Sequence, residues 1–421
     1  MYVPIIIDPC SFYDFRYLWE YLKYLYHCYE NQWPIISIAE LIDYRVRQPI
    51  SNVYEESFFK KHQYRILTQD EEACVKKYAI CPQIFSELEQ QIGSKLGAKL
   101  FLLTHRYKPL EKEIKKILSQ ITKDSKEKIK GILNWNAHFV SIRYVAEQMN
   151  IPVITNEFSV RFPQYYPLAY FCKEDIYGSG EVYKMYRNFK KCLSSFEYRL
   201  LYREEILALL LEKEYLYKIE LMPDLQPEYE IGVAGCHPLI PTFFAKSTYT
   251  DLELIEDVRK QYSEEDILFR KHPGDEPYQA EYTLKHKDSS SSSIDFILKC
   301  KRITAQGSNV ILEAMLWGKP AYTKDISPFV TFCEKNLAVK NISPASEEVL
   351  NFLFFVYFVP FSEMWKEAYM DWRIGETNVK NIYERHVQYY FIRRGIPVDL
   401  LDDTKNCYQE MIKYRMEVKE S

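Results

Sequence analysis

Short apolar runs alternate with longer stretches of helical spacing along most of this chain. Val3–Ile7 reads as a first strand, and Phe12–Tyr29 places Tyr17, Leu18, Tyr21, Leu22, Tyr24 and Leu25 at helical spacing. Residues 44–61 carry little signal. Pro82–Ile92 predicts a helix with its proline in the first turn, where a missing N–H costs nothing. Lys99–Leu103 predicts a buried strand, Pro109–Ile121 a lysine-rich helix, and Lys126–Lys130 is a short basic stretch. Gly131–Asn136, Ser141–Met149 and Ile151–Thr155 then read as strand, helix and strand, ending in Asn156-Glu157.

Beyond the flexible Gly178-Ser179-Gly180, Val182–Lys218 predicts one long helical stretch. Pro223–Tyr229 has no periodicity and reads as a connection between domains. Glu230–Gly235 predicts a strand leading into Cys236-His237-Pro238, and Leu252–Tyr262 a helix. The strand Ile267–Phe269 runs directly into Arg270-Lys271-His272-Pro273-Gly274-Asp275. A serine run, Ser289–Ser293, precedes a helix over Ile294–Lys299. Arg302–Asn309 is a second strand-to-turn unit, opening a helix over Val310–Trp317 that Gly318-Lys319-Pro320 closes before a further strand. From Glu347 onward the pattern is helical and aromatic. Strand and helix alternate in both halves, which predicts α/β architecture with a cleft between two domains. The expected organisation is residues 1–225, residues 226–345, and a helical segment 346–421 packing back.

Composition narrows the classes. A chain of 421 residues, 47% hydrophobic and 27% charged, has enough apolar sequence for ordinary cores. The formal net charge of -4 gives no footprint for nucleic acid. Ten cysteines without CxxC pairs read as reduced thiols of a cytoplasmic protein. The N-terminus has no basic region ahead of its apolar run, so a signal peptide is not expected. No apolar run is long enough to span a bilayer. Tyr, Lys and Arg interspersed along several helices leave peripheral membrane association open.

Both strand-to-turn units place polar groups at the carboxyl end of a strand, where open α/β sheets bind ligands. Lys271 and His272 supply a cation and an imidazole. Gln306, Ser308 and Asn309 surround a helix N-terminus, whose free N–H groups favour a phosphate. Together they read as a nucleotide-sugar phosphate site. Glu157, also at a strand's carboxyl end, stands where a catalytic carboxylate would be expected or serves as a surface acid. No DxD triplet occurs, and neither metal nor cofactor is called for.

These stretches resemble the GT-B fold glycosyltransferases that use CMP-activated sugar acids, above all the Kdo transferases of bacterial capsule and O-antigen (lipopolysaccharide) assembly. The resemblance rests on Asn134-Trp135-Asn136, Ile151–Glu157, Arg161, Lys271-His272-Pro273, the signature Ser308–Pro320, and Ser327-Pro328-Phe329. It spans roughly residues 95–335. It implies a GT-B-like pair of Rossmann-like domains, the first on the acceptor side and the second holding the CMP-sugar donor, with an oligosaccharide or lipid-linked glycan as acceptor. It also implies that Glu157 is the acceptor base and that His272, with Lys271 and Pro273, grips the nucleotide phosphate. Ser308 and Asn309 would hold that phosphate, with Gln306 in the same turn. Glu313 would meet the ribose or cytosine, and Arg161 the sugar carboxylate.

One departure stands out. The family's retaining enzymes carry a nucleophilic acid just after the strand written here as Gly232–Gly235. This chain has Cys236-His237-Pro238-Leu239-Ile240-Pro241-Thr242, with Cys236 and His237 at the nucleophile's position. An inverting enzyme, a sialyltransferase-like user of CMP-sugars, and a non-catalytic nucleotide-binding relative all fit that departure.

Overall fold

A computed structural model describes the chain except for residues 8–14, 44–63, 136–138, 161–162, 174–180, 223–224, 237–248, 273–283, 325–330, 377, 404–406 and 418–421. By internal contacts it divides into two units. The first is Met1–Glu157 with Phe171–Asp175 and Ser362–Trp372; the second is Phe158–Tyr170 with Ile176–Phe361 and Arg373–Ser421.

The first unit is built on five parallel strands: β1 Tyr2–Ile6, β2 Ile35–Ile38, β3 Lys77–Ile80, β4 Gly131–Trp135 and β5 Val153–Asn156. Their order is β3-β2-β1-β4-β5. β1, β2 and β5 are buried along their whole length, which suits parallel strands covered on both faces. Its longer helices are α1 Phe15–Asn31, α2 Pro82–Ile92, α3 Lys95–Thr104, α4 Lys108–Ser125 and α5 Val140–Gln148. α2 opens on its proline and closes on Gly93 at φ 88°, a left-handed position that glycine takes without cost. α4 buries Leu110, Ile114, Ile117, Leu118 and Ile121 against α5 and β3. Residues 362–372 complete the unit. Lys130 bonds Glu367 at 2.8 Å and Asp371 at 2.6 Å, and His27 stacks on Trp365 with ring centroids 4.1 Å apart.

Lys99–Leu103 is helical, not a strand. The Ser94 side chain accepts the Gly97 N–H and starts α3 at Lys95. An apolar run this short fits a helix face as well as a strand, and the cap decides it.

The second unit opens with β6 Leu168–Tyr170, which pairs antiparallel with β12 Phe358–Pro360. Its main sheet is parallel: β7 Ile231–Ala234, β8 Ile267–Arg270, β9 His286–Lys287, β10 Ile303–Ala305 and β11 Ala321–Tyr322, in the order β11-β10-β7-β8-β9. Counted from its own first strand, this repeats the arrangement of the first sheet. Both units therefore carry the doubly wound order of a Rossmann-like sheet, as the alternating pattern predicts. The helices used below are α6 Glu181–Cys192, α7 Arg203–Leu210, α8 Asp251–Arg259, α9 Ser293–Leu298, α10 Val310–Leu316, α11 Glu347–Phe352 and α12 Val379–Arg393.

The single long helix expected over Val182–Lys218 is broken. α6 ends at Cys192, and the chain runs without helix from Phe196 to Tyr202 before α7. The break is held by Glu205, which is fully buried. Its carboxylate accepts two 2.8 Å bonds from Arg199 and one from the Tyr202 N–H. Such a pairing needs Arg199 outside the helix.

Candidate functional site

In the second sheet the strand order reverses between β7 and β10, the place where doubly wound sheets receive ligands. The strands are parallel, so β8, β7 and β10 all end on one edge. The chain leaves them through Lys271-His272, Gly235-Cys236 and Gln306–Asn309.

Gln306 stands apart from its surroundings. It is 0% exposed, and neither its Nε2 nor its Oε1 has a hydrogen-bond partner. A buried amide left unpaired costs about 1–3 kcal/mol, a cost that a bound polar group would remove. Gly307 follows at φ 59°, which turns the chain sharply. Ser308 is half-buried, and its Oγ accepts the Val310 N–H at 3.3 Å.

Asn309 and Glu313 are engaged within the protein. Asn309 Nδ2 donates to the carbonyls of Phe158 at 2.9 Å and Ser159 at 3.1 Å, while its Oδ1 accepts from Tyr170 Oη at 3.3 Å. The Glu313 carboxylate accepts from Ser293 Oγ at 2.5 Å and from the Tyr165 hydroxyl. Tyr165 in turn accepts the Trp317 indole N–H at 2.8 Å. Burial, with Glu313 adding, pushes the Tyr165 phenol well above its usual range. This network fixes α10 and the turn before it.

At the end of β7, Cys236 is buried and its N–H donates to Asp251 Oδ2 at 2.7 Å. A carboxylate therefore does reach this strand end, from the first residue of α8, although residues 236–242 contain none. Reading the sequence missed Asp251. Its signal was the capping box of Thr250 and Glu253, which starts α8 one residue earlier than the apolar spacing suggests. At the end of β8, the Arg270 guanidinium is tied to Asp288 and to the Ser290 carbonyl. Lys271 is exposed and His272 half-buried.

Glu157 directly follows the first unit's β5 and is half-buried. Beside it, Asn156 is buried, and its Oδ1 accepts from Tyr24 Oη at 2.6 Å. Arg161, His237 and Pro273 lie outside the described residues, as do Ser327-Pro328-Phe329. A cavity of about 390 Å³ in the second unit, lined in part by Tyr186, Phe332 and Cys333, touches the signature only at Met315 and includes none of the candidate site residues. Among the described residues no His, Cys, Asp and Glu side chains cluster as a metal site.

Residues 9–181 match the model of the Glycosyltransferase 99 family N-terminal domain. On that match the chain is read as a glycosyltransferase. No curated protein matches this glycosyltransferase-like chain. Among solved structures it is similar to the β-Kdo 2,7 transferase of Thermosulfurimonas dismutans KpsC, at 14% identity over 77% of this chain and 97% of that one, with a TM-score of 0.37. The β-Kdo 2,4 transferase of the same protein matches at 11% identity over 55% of this chain and 81% of that one, TM-score 0.34. The UDP-GlcNAc 2-epimerase of Methanocaldococcus jannaschii matches at 14% identity over 93% and 100%, TM-score 0.34.

Proposed function

We propose that this chain transfers a Kdo-like sugar acid from a CMP-activated donor to a bacterial surface-glycan acceptor, free or lipid-linked, working in the cytoplasm and peripherally at the inner face of the membrane. The observation that carries the reading is Gln306. Its unpaired amide lies where strand order reverses, in the same turn as the signature Ser308–Pro320. A nucleotide offers both donors and acceptors to such a group. The glycosyltransferase match over residues 9–181 supports the coarser part of the proposal.

Transfer is a displacement at the anomeric carbon. The acceptor hydroxyl oxygen forms the new bond and gives its proton to Glu157, while the bond to phosphate breaks and CMP departs with the electron pair. His272, helped by Lys271, stabilises the departing phosphate, and Ser308 holds it. Arg161 offers a planar fork to the sugar carboxylate. Asn309 and Glu313 act by shaping the turn, since their side chains are held within the protein. Direct displacement requires no nucleophile from Cys236 or His237.

The test is a thermal-shift series with CMP, UDP and GDP, followed by transfer assays with CMP-Kdo and CMP-sialic acid. CMP alone should raise the melting temperature, and CMP-Kdo should be turned over. No shift at millimolar CMP overturns the proposal. Use of CMP-sialic acid instead would make the chain sialyltransferase-like. A second reading, a nucleotide-binding relative without turnover, is favoured by the missing carboxylate over Cys236–Thr242. It predicts the CMP shift and no transfer.

A further inference from the structure

α4 presents two unlike faces. Leu110, Ile114, Ile117, Leu118 and Ile121 are buried, whereas Lys108, Lys112, Lys115, Lys116 and Lys123 are exposed. At about 100° per residue the five lysines fall within an arc of roughly 100° opposite the apolar stripe, and they extend along about 22 Å of helix. The only other helical residue in that arc is Ser119. Lys126, the C-cap, and Lys128 are exposed just beyond it.

The stripe is not neutralised locally. Glu113 approaches Lys116 at 3.6 Å, Asp124 is held by Tyr78 and Gln120, and Glu127 lies near the N-terminal ammonium. Among the described residues Lys112, Lys115 and Lys123 have no ion-pair partner, and Lys108 is attracted only at longer range by Glu111, which Arg106 already pairs. This is a local reversal of sign in a chain whose formal net charge is -4.

We infer that this lysine stripe docks the protein on a bilayer surface carrying anionic phospholipid. A straight row on a convex helix meets a flat array of charges along its whole length. The arc holds no aromatic ring on which a sugar or a base would stack, and no apolar side chain to insert between lipids. What remains is adsorption through lipid phosphates, which salt screens. The inference deepens the peripheral association proposed above and is independent of the transfer chemistry.

Flotation of the full chain with vesicles of phosphatidylcholine, alone or mixed equally with phosphatidylglycerol, tests it at low and high salt. Binding is expected only to the mixture, and loss of it at high salt. Each lysine near such a surface is worth about fivefold in partition. Lys112→Gln, Lys115→Gln, Lys116→Gln and Lys123→Gln together should therefore cut partition by about two orders of magnitude or more, with the melting temperature and the CMP shift unchanged. The four Lys→Arg changes should retain it. Equal partition onto neutral vesicles, or an unaltered partition of the glutamine variant, overturns the inference. So does stripe-dependent binding of soluble dextran sulfate by a protein that ignores both vesicles. Because the CMP shift is read on the same variant, failure here stays separate from failure of the transfer reading.

Discussion

The two units share one strand order and differ in what their carboxyl edges do with a buried amide. In the first, Asn156 ends β5 with its carbonyl oxygen satisfied by Tyr24. In the second, Gln306 follows β10 with neither polar atom satisfied. The same scaffold thus supports an edge whose buried amide is half satisfied, since Asn156 Nδ2 has no partner, and an open edge whose amide is wholly unsatisfied. Topology selects the place for a ligand, and local hydrogen bonding decides whether that place is used.

The largest expected effect breaks the comparison at its open side. Gln306→Leu should weaken CMP binding by about thirtyfold, the worth of two neutral hydrogen bonds, while the melting temperature holds or rises because an unpaired polar group is removed. Titration calorimetry beside a thermal melt reads both. If binding survives, the open edge is a packing defect. Asn156→Leu should do the reverse. It leaves the Tyr24 hydroxyl buried without its acceptor and costs about 1–3 kcal/mol in urea unfolding, with little change in CMP affinity.

Tyr165→Phe sharpens the comparison by loosening the frame behind the open edge. It strips the acceptor from the Trp317 indole and a donor from Glu313, for about 1–2 kcal/mol of stability and a smaller loss of CMP affinity. The smallest effect at neutral pH, which grows only in acid, concerns a feature that both units share, a buried neutral histidine. Burial, with Arg373 adding, pushes the His386 imidazole down to about 3, and burial with Lys23 lowers that of His27. The unfolded chain takes up protons near the ordinary histidine value, about 6.5, and the native state does not. Stability is therefore complete above that value and falls as pH drops towards 3. His386→Gln keeps a donor for the Phe355 carbonyl and should flatten the fall between about pH 7 and about pH 4, seen in urea midpoints. His27 would supply part of the remaining slope, and the carboxylates held low by their cationic partners, among them Glu205, Glu367 and Asp371, would supply the rest at the acid end.

Much of this scaffold was legible in the sequence. Pro82–Ile92 was placed residue for residue, because proline and glycine punctuate it. The β10 turn was placed by its Gly-Ser-Asn. What escaped were features set by partners distant along the chain. Arg199 and Glu205 break a stretch that helical periodicity alone would continue. Asp251 reaches Cys236 only once α8 is docked. That Gln306 has no partner, while Asn309 has three, is a property of packing that no local pattern records.

The ties of Asn309 to Phe158 and Ser159, of Trp317 to Tyr165, and of β12 to β6 share a consequence for assembly. Residues 158–170 emerge early in synthesis yet find these partners only after residues 309–360 have followed. The second unit must therefore mature late, with a short early segment waiting for its seat. A fragment beginning at residue 226 would lack that segment, leaving the Asn309 amide, the indole and the β12 edge exposed, and would be prone to aggregate.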